Sequence, residues 1–448
     1  MSHHQPRSLA ALLTVAAGSL LALVAVADPA LAQWPHWRGP FYNGSSPATN
    51  LPPRFSPTEN VRWSVSLPGS SAATPAIWNE HVFVSSTDAE AGTLLALALD
   101  RRTGRELWRR TIAERASRDR LSNFASPSPT TDGDRVFFYY GQGDLAAFRP
   151  DGQPLWSRQL AEDYGEFAFL WTYASSPLLH NGRLYLQVLQ RNVPVNGRGR
   201  TDGPIASYLL ALDPATGREL WRHVRPSDAV AESLESFASP VPFEYQGRPE
   251  ILVVGGDCIT GHDPASGREL WRWGTWNPTR ISHWRMVPSP VAGAGLVLAC
   301  APKREPIFAL KAGGVGTLEP EAIAWTTAEQ RDVTSDVPTP LFYLGDFFVL
   351  SDLRKNLTRL DPATGRVKWE LATPGNAKYE ASPTGADGRI YLLSFSGEVV
   401  VVDAANGQIT HRASFGEPGD DQTRSSIAAL DHDLFIRTNQ KLYCVGTP

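Results

Sequence analysis

Ten residues that could bind a polar ligand stand in segments that precede short apolar runs. They combine aromatic rings, an amide and both signs of charge: Asn123, Trp171, Tyr173, Glu235, Trp284, Arg285, Asp336, Tyr379, Glu380 and Arg424. Charged groups placed directly before a buried strand are not what a dry core requires. If these segments converge, they form a site suited to a protein, peptide or glycan. In the alternative interpretation, each aromatic ring packs beneath its own loop and each charge is solvated or paired.

None of the familiar catalytic motifs accompanies these residues. The sequence contains no Gly-x-Ser-x-Gly, no His-Glu-x-x-His and no phosphate-binding loop. Asp431 and Asp433 resemble a fragment of a calcium-binding loop, but they stand where a turn between strands is expected, and turn chemistry explains them better. We therefore assign no catalytic residue and no metal ligand from the sequence.

A repeated hairpin must position these segments. Four stretches share an Asp, a turn that ends in Gly and a terminal Trp, at residues 98–108, 211–221, 261–271 and 359–369, and a shortened copy ends at Trp156. Pro, Gly and Asp suit a tight turn between two strands. A Ser/Thr-Pro pair and a second strand pair precede each hairpin. Four short strands at a period of roughly 45–60 residues are typical of a β-propeller blade.

The units number eight. Seven begin with Ser/Thr-Pro, and Ser425-Ser426-Ile427 begins an eighth that lacks a fourth strand. The segment Gln408-Ile409-Thr410 fills the closing place of the seventh unit without a Trp. An isolated closing strand around Trp63 can complete the eighth unit and remove the free edges of the ring. We expect an all-β, eight-bladed propeller of four-stranded blades, closed by this N-terminal strand. The expected docking tryptophans are Trp63, Trp108, Trp156, Trp221, Trp271, Trp325 and Trp369.

The pattern Ala-x-Asp-x-x-Thr-Gly-Arg-Glu-x-Trp, seen at 211–221, resembles the tryptophan-docking repeat of the pyrroloquinoline quinone (PQQ) dehydrogenases, the quinoprotein alcohol dehydrogenase-like superfamily. The same repeat is found in non-catalytic relatives, including the lipoprotein subunit of the outer-membrane β-barrel assembly machinery. The resemblance covers nearly all of the chain after Val61. It implies the propeller fold but says little about activity, because the repeated residues hold blades together.

The resemblance also implies what a dehydrogenase of this family requires. The enzymes carry adjacent cysteines in a ring disulfide, a Glu, Asn and Asp set for calcium, and an Asp base. This chain has no Cys-Cys pair, and no motif assigns its loop carboxylates Glu235, Asp336 and Glu380 to those roles. We therefore favour an exported, non-enzymatic binding or scaffold module that needs no cofactor. The alternative is a compact dehydrogenase that uses PQQ with calcium.

The beginning of the chain has the pattern of a secretory signal. Arg7 precedes an apolar run at 9–27 and an Ala-x-Ala site at 30–32, so we expect a cleaved signal peptide at 1–32, with a membrane anchor as the alternative. A Trp/Pro-rich extension follows at 33–60 and the propeller at 61–448. We expect a periplasmic or secreted monomer with no stable membrane span after cleavage. The net charge of -4 gives no basis for a nucleic-acid partner.

Two smaller features leave alternatives open. Trp34 and Trp37 in the extension either plug one face of the propeller, which we favour because exposed paired Trp residues promote aggregation, or form an aromatic recognition arm. Cys258, Cys300 and Cys444 are interpreted as buried thiols that act as small apolar residues. A bridge between Cys258 and Cys300 is the alternative.

Overall fold

The computed structural model describes Met1 and residues 33–115, 122–274 and 276–447. The predicted signal peptide at 1–32 lies outside the described residues except for Met1. The described residues form eight sheets, and each sheet is one blade of a propeller. The predicted fold class is therefore confirmed. No helix in the described ranges is both long and apolar enough to cross a membrane.

The first strand, β1 (Val61–Ser66), precedes the first complete blade. Blade 1 contains β2 (Ala76–Trp78), β3 (His81–Asp88), β4 (Thr93–Asp100) and β5 (Glu106–Ala113). Blade 2 contains β6 (Thr130–Thr131), β7 (Val136–Tyr139), β8 (Asp144–Phe148) and β9 (Pro154–Gln159). Blade 3 follows helix α1 (Leu160–Tyr164) and contains β10 (Leu178–His180), β11 (Arg183–Val188), β12 (Tyr208–Leu212) and β13 (Glu219–Val224). Blade 4 follows a 3-10 turn (Ala231–Leu234) and contains β14 (Val241–Tyr245), β15 (Arg248–Gly255), β16 (Cys258–His262) and β17 (Glu269–Trp273).

The second half of the ring continues the pattern. Blade 5 contains β18 (Val291–Gly293), β19 (Leu296–Cys300), β20 (Ile307–Lys311) and β22 (Ile323–Thr326), with β21 (Gly316–Thr317) and a 3-10 turn (Pro320–Ala322) between the last two. Blade 6 contains β23 (Leu341–Tyr343), β24 (Asp346–Ser351), β25 (Asn356–Leu360) and β26 (Val367–Ala372). Blade 7 contains β27 (Thr384–Ala386), β28 (Arg389–Leu393), β29 (Glu398–Asp403) and β30 (Ile409–Ser414). Blade 8 contains β31 (Ala428–Leu430), β32 (Asp433–Arg437) and β33 (Lys441–Gly446).

The ring closes through the strand predicted to close it. Strand β1 pairs antiparallel with β33, from Val61 opposite Val445 to Ser66 opposite Lys441. Blade 8 thereby gains its fourth strand: β33 is paired on both sides, and β1 takes the outermost position, as the closing strand does in the other blades. The core consists of apolar layers between neighbouring sheets; Phe83 of blade 1, for example, packs against Phe138 of blade 2.

Six of the eight seams between blades have the same construction. The indole of the closing strand lies over the turn glycine of the next blade, where a Cβ atom would come within 3 Å of the ring. Its Nε1–H donates to a main-chain carbonyl of that turn at 2.7–3.3 Å. The pairs are Trp63 with Gly104, Trp108 with Gly152, Trp156 with Gly217, Trp221 with Gly267, Trp325 with Gly365, and Trp369 with Gly407.

The two other seams lack this turn in the next blade. Trp271 donates to Glu250 Oε2 of its own blade at 2.6 Å, and β21 pairs in parallel with β17 beside it, giving blade 4 a fifth strand. At the seam between blades 7 and 8, His411 takes the register position of the Trp. The blade 8 hairpin is missing there because its last strand is β1. Phe55 of the extension packs on the imidazole instead, at 4.7 Å between ring centroids.

The extension crosses the face that carries the first hairpin turn of each blade. Trp34 is fully buried and forms a bridge with Ile77 of blade 1. Arg38 donates to the carbonyl oxygens of Pro340 and Pro383 at 2.8 and 3.2 Å. Ser46 Oγ donates to the carbonyl of Ala429 in blade 8 at 2.7 Å. The burial of Trp34 agrees with the plug interpretation.

The three cysteines are buried and free. Cys258 and Cys300 form no bridge, in agreement with the interpretation as small apolar side chains. Burial raises the pKa of the Cys300 thiol to about 12, so this group is protonated and unreactive at neutral pH.

Candidate ligand-binding site at the channel mouth

A ring of hydroxyl groups surrounds the central channel of the propeller, next to the first strand of each blade. The residue before each Pro accepts a hydrogen bond from the main-chain N–H of its counterpart in the preceding blade, at 2.8–3.1 Å. We call this set the hydroxyl ring; it consists of Thr74, Ser128, Ser176, Ser239, Ser289, Thr339 and Ser382. The Ser/Thr-Pro repeat therefore has a structural cause, because a short hydroxyl side chain joins neighbouring blades where the channel is narrow.

Above the hydroxyl ring lies a cavity of about 500 Å³, which we call the mouth cavity. Its walls come mainly from the interblade loops, the segments that join the last strand of one blade to the first strand of the next. Lys303 and Asp352 come instead from loops between the second and third strands of blades 5 and 6. Trp37 of the extension lines the same cavity and forms its floor. A cavity of this size can hold a small ligand or one segment of a larger one.

On one side of the mouth cavity a carboxylate joins two interblade loops. Glu232 Oε1 accepts from Nη1 of Arg285 at 3.2 Å and from Nε1 of Trp171 at 3.1 Å. Both ionised side chains are about six-sevenths buried, with exposures of 16% for Arg285 and 14% for Glu232. The three side chains come from the loops before blades 3, 4 and 5, and their mutual bonds fix this part of the wall.

The opposite side contains three more carboxylates. Glu380 is bound by Arg424 Nε at 2.8 Å and by Lys378 Nζ at 3.6 Å. Asp336 pairs with Lys303, with Nζ 3.7 Å from Oδ2. Two of the three, Glu380 and Asp336, therefore have a cationic neighbour within 4 Å.

Asp352 has a different environment. Its Oδ1 accepts the main-chain N–H groups of Asp336 and Val337 at 3.1 and 3.4 Å. Burial, helped by the nearby Asp336 carboxylate, raises the pKa of Asp352 to about 6. This group changes its charge just below neutral pH.

Five of the ten residues predicted as a ligand site line the mouth cavity: Trp171, Arg285, Asp336, Glu380 and Arg424. Asn123 lines a neighbouring cleft of about 410 Å³. Tyr173 adjoins a third cleft, but it is buried and its hydroxyl donates to the carbonyl of Gln187 at 2.6 Å.

The remaining three predicted residues lie behind the wall. Trp284 packs on the core cluster between blades 4 and 5. Tyr379 is buried, and its hydroxyl donates to the carbonyl of Pro374 at 3.1 Å. Glu235 is fully buried and forms an ion pair with Arg191 at 2.5 Å. For these three residues the structure agrees with the alternative interpretation, in which aromatic rings pack beneath their loops and charges are paired.

Glu235 ties two interblade loops together from inside. Its Oε1 accepts from the main-chain N–H of Leu170 at 3.1 Å, while Oε2 is buried with no hydrogen-bond partner among the described residues. Burial raises the pKa of Glu235 to about 7, and this effect outweighs the opposite pull of the Arg191 guanidinium.

Sequence reasoning missed several residues of the cavity wall. Lys303, Lys378 and Asp352 line it, as does Glu232, which stands three residues before the selected Glu235. The Ser/Thr-Pro repeat did signal where the wall would be, since four members of the hydroxyl ring line the cavity. Nothing in the sequence marks which side chain of an interblade loop points inward, because these loops have no period.

The carboxylates of the mouth cavity are not arranged as a calcium site. The described ranges contain no group of three or more His, Cys, Asp or Glu residues placed to hold a metal ion. Glu232, Asp336 and Glu380 are each held by a cation, whereas a calcium set requires several oxygen ligands that converge on one point.

Comparison with known proteins places the fold in one family. A family model described as outer membrane protein assembly factor BamB matches residues 56–197 and 206–446. The polyvinylalcohol dehydrogenase of a Pseudomonas species is 23% identical over 193 residues, which are 42% of this chain. That match spans only 28% of the relative's length.

Solved structures agree with the fold at low identity. The quinohemoprotein alcohol dehydrogenase of Comamonas testosteroni superposes with a TM-score of 0.64 and 14% identity, over 93% of this chain and 81% of the other. BamB from Moraxella catarrhalis superposes with a TM-score of 0.56 and 12% identity, over 86% of this chain and 96% of the other. These likenesses concern the fold alone.

Proposed function

The chain belongs to the PQQ-repeat propeller family whose model is described as outer membrane protein assembly factor BamB, and from this premise we propose that it is an exported, non-catalytic binding module. Its partner is a protein, peptide or glycan that docks on the interblade-loop face and enters the mouth cavity. Both a BamB and dehydrogenases occur among its structural relatives, so family membership leaves the choice between binding and catalysis to the site.

One observation carries the proposal. The carboxylates of the mouth cavity are held in place, by Arg285, Lys303 and Arg424 or, for Asp352, by main-chain N–H groups. A carboxylate fixed by a guanidinium keeps its charge and its orientation, which suits recognition by hydrogen bonds. General-base catalysis calls instead for a carboxylate with an adjacent free path to a substrate proton.

Site-specific photo-crosslinking tests this function. A photoreactive amino acid at Val337, in the wall of the mouth cavity, is expected to capture the partner from the exported protein fraction. The matched control is Val367, which is 38% exposed on β26 at the outer side of blade 6. Arg285→Ala should remove the Val337 adduct. Equal adducts from both positions, or an adduct that survives Arg285→Ala, would contradict a partner at the mouth.

The dehydrogenase alternative is favoured by the dehydrogenases among the relatives. It has its own test. The purified chain is mixed with PQQ and Ca²⁺, and absorbance and dye reduction with alcohols and sugars are followed. We expect no change in either signal. A cofactor spectrum together with substrate-dependent dye reduction would replace the binding function by an oxidoreductase function.

A further inference from the structure

The charges that line the mouth cavity balance. Among its described lining residues, four are cationic and four carry carboxylates: Arg285, Lys303, Lys378 and Arg424 against Glu232, Asp336, Asp352 and Glu380. Their sum is zero at neutral pH when all eight are ionised. A ligand with a net charge would therefore meet no net compensating charge in the cavity, and most of the individual charges are already paired. The balance favours a neutral ligand.

The ion pairs nevertheless retain hydrogen-bonding capacity. An Arg guanidinium has five N–H donors and a carboxylate about four acceptor positions. Arg424 donates through Nε to Glu380 Oε2 and through Nη1 to Gln422 Oε1, which engages two of its five N–H donors. A ligand hydroxyl can donate to the carboxylate while a neighbouring hydroxyl accepts from the cation. Such pairs therefore suit a ligand with adjacent hydroxyl groups.

The deeper wall consists of hydroxyl groups. Ser128, Ser176, Ser239 and Ser382 of the hydroxyl ring line the cavity, and each accepts one main-chain N–H through its oxygen. Ser426 also lines it; this side chain is 2% exposed, and its Oγ has no partner among the described residues. Buried hydroxyl groups normally find a partner, so Ser426 Oγ points to a polar group that the cavity receives.

The floor and one wall are aromatic. Trp37 is half-buried beneath the cavity and Trp171 is half-buried at its side. An indole face covers apolar C–H surface, while its edge and the surrounding polar groups serve hydroxyls. Flat aromatic surface beside hydroxyls and paired charges matches the two kinds of surface of a sugar ring.

The cavity continues into the neighbouring cleft. The two share Ala72, Ser122, Ser126 and Arg424, and the cleft adds about 410 Å³ between blades 8 and 1. Four amides line the cleft, from Asn123, Gln422, Asn439 and Gln440, together with two carboxylates and two cations whose charges again balance, from Glu417, Asp421, Arg424 and Lys441. The continuation provides room for several units of a chain and is again suited to hydroxyl groups.

We propose that the mouth cavity and the adjoining cleft bind a neutral, polyhydroxylated chain, an uncharged oligosaccharide. This rests on the proposed function, because it names the ligand class of the same binding face. The sugar ring would lie on Trp37 with its hydroxyls between the ion pairs and the hydroxyl ring, and the chain would leave through the amide-lined cleft.

Isothermal titration calorimetry tests this ligand class. The probes are neutral gluco-, manno- and N-acetylglucosamino-oligosaccharides from disaccharide to hexasaccharide, with oligogalacturonates of equal length as the anionic control. We expect at least one neutral series to bind, with affinity that rises with chain length, and the anionic series to bind at least about tenfold more weakly. Preference for the anionic series, or no binding of any neutral series, would overturn the inference.

Variants separate recognition from folding. Arg285→Ala and Trp171→Ala are each expected to weaken the bound neutral series by about tenfold or more. Arg109→Ala, in an exposed ion pair on β5, is the control that leaves binding unchanged. Thermal unfolding of each variant excludes a folding defect, and Arg285→Lys should restore part of the affinity. Unchanged affinity in both cavity variants would overturn the site.

The two proposals can fail separately. If the Val337 adduct forms with a protein partner and no neutral oligosaccharide binds, the binding module stands and the glycan inference fails. If oligosaccharides bind equally to the wild type and to both cavity variants, the inferred site fails and the ligand lies on another surface.

Discussion

The outer seams and the channel mouth belong to the same eight blades, yet they differ in how much they repeat. At six seams the same Trp, turn carbonyl and Gly recur with nearly the same geometry. At the mouth, every interblade loop brings different side chains to the cavity. The difference indicates that the repeated motif provides stability, whereas the unrepeated loops carry specificity.

The exceptional seams support the same conclusion. Trp271 and His411 stand where the next blade has no Gly turn, because blade 5 has a longer connection there and blade 8 is completed by β1. At each of these seams another residue takes the place of the missing turn. Glu250 accepts the hydrogen bond of the Trp271 indole, and Phe55 contacts the imidazole of His411. A Trp of the repeat thus bonds to the next blade only at the six seams where that blade supplies a turn.

The largest expected effect is at a regular seam. Trp325→Ala removes an indole that is 8% exposed and its bond to the Pro362 carbonyl. We expect a loss of about 3–5 kcal/mol in the free energy of unfolding, measured in urea. Trp325→Phe should lose about 1–2 kcal/mol, since most of the buried area remains. A loss below about 1 kcal/mol for the alanine variant would show that the seams are not what stabilises the ring.

The stability of the fold should depend on pH through Glu235, which lies behind the wall of the mouth cavity, and not through the seams. The Glu235 carboxyl binds its proton more tightly in the folded than in the unfolded protein, because burial raises its pKa from 4.5 to about 7. Its contribution to stability is fully present below about pH 4.5 and is lost as the pH rises through about 7. The free energy of unfolding should fall by up to about 3 kcal/mol over this pH range, because one pKa unit corresponds to about 1.4 kcal/mol.

Glu235→Gln should flatten this part of the stability curve, measured by urea unfolding across the pH range. Asp352→Asn is the matched variant, because the raised pKa of Asp352 acts in the same direction up to about pH 6. Its effect should be confined to the lower part of the range. An unchanged curve in Glu235→Gln would assign the pH dependence to other groups.

A pair of glycines isolates the docking contact. Gly365 and Gly388 have nearly equal φ angles, +68° and +72°, so Ala is strained at both. At Gly365 the new Cβ would stand 2.5 Å from the Trp325 ring, whereas at Gly388 no atom lies within 4 Å. We expect Gly388→Ala to lose about 1 kcal/mol and Gly365→Ala about 2–3 kcal/mol. Equal losses would mean that the indole moves aside without cost.

A smaller effect on stability is expected in the mouth cavity. Arg285→Ala removes a mostly buried ion pair of 3.2 Å, but Glu232 keeps its bond from Trp171, so the free energy of unfolding should fall by about 1–2 kcal/mol. The same variant should weaken ligand binding by about tenfold or more. A large loss of stability together with unchanged binding would reverse the contrast between seams and mouth.

Most of the fold could be predicted because its signals are local. Turn residues, strand pairs and a closing Trp lie within one repeat, so the sequence predicts eight blades and the completing role of β1. The fifth strand of blade 4 could not be predicted, because Gly316 and Thr317 come from a connection without any strand pattern. Phe55 beside His411 joins positions far apart in the chain, which no repeat encodes.

The candidate site could be predicted only by region. The loops before each Ser/Thr-Pro do surround the cavity, and half of the selected residues line it. Glu232 lines it whereas Glu235, in the same loop, is buried behind it. Side-chain direction in such a loop depends on contacts with two neighbouring loops, and a single sequence does not contain that information.

The completion of blade 8 by β1 sets the order in which the ring can be assembled. Synthesis delivers β1 early, but its pairing partner β33 comes from residues 441–446. Contacts of such long sequence separation form slowly. Until they form, β1 and the outer strand of blade 8 are unpaired edges that invite association with other chains. The chain therefore exposes an unpaired β1 from its synthesis until β33 is made, and aggregation competes with closure during that interval.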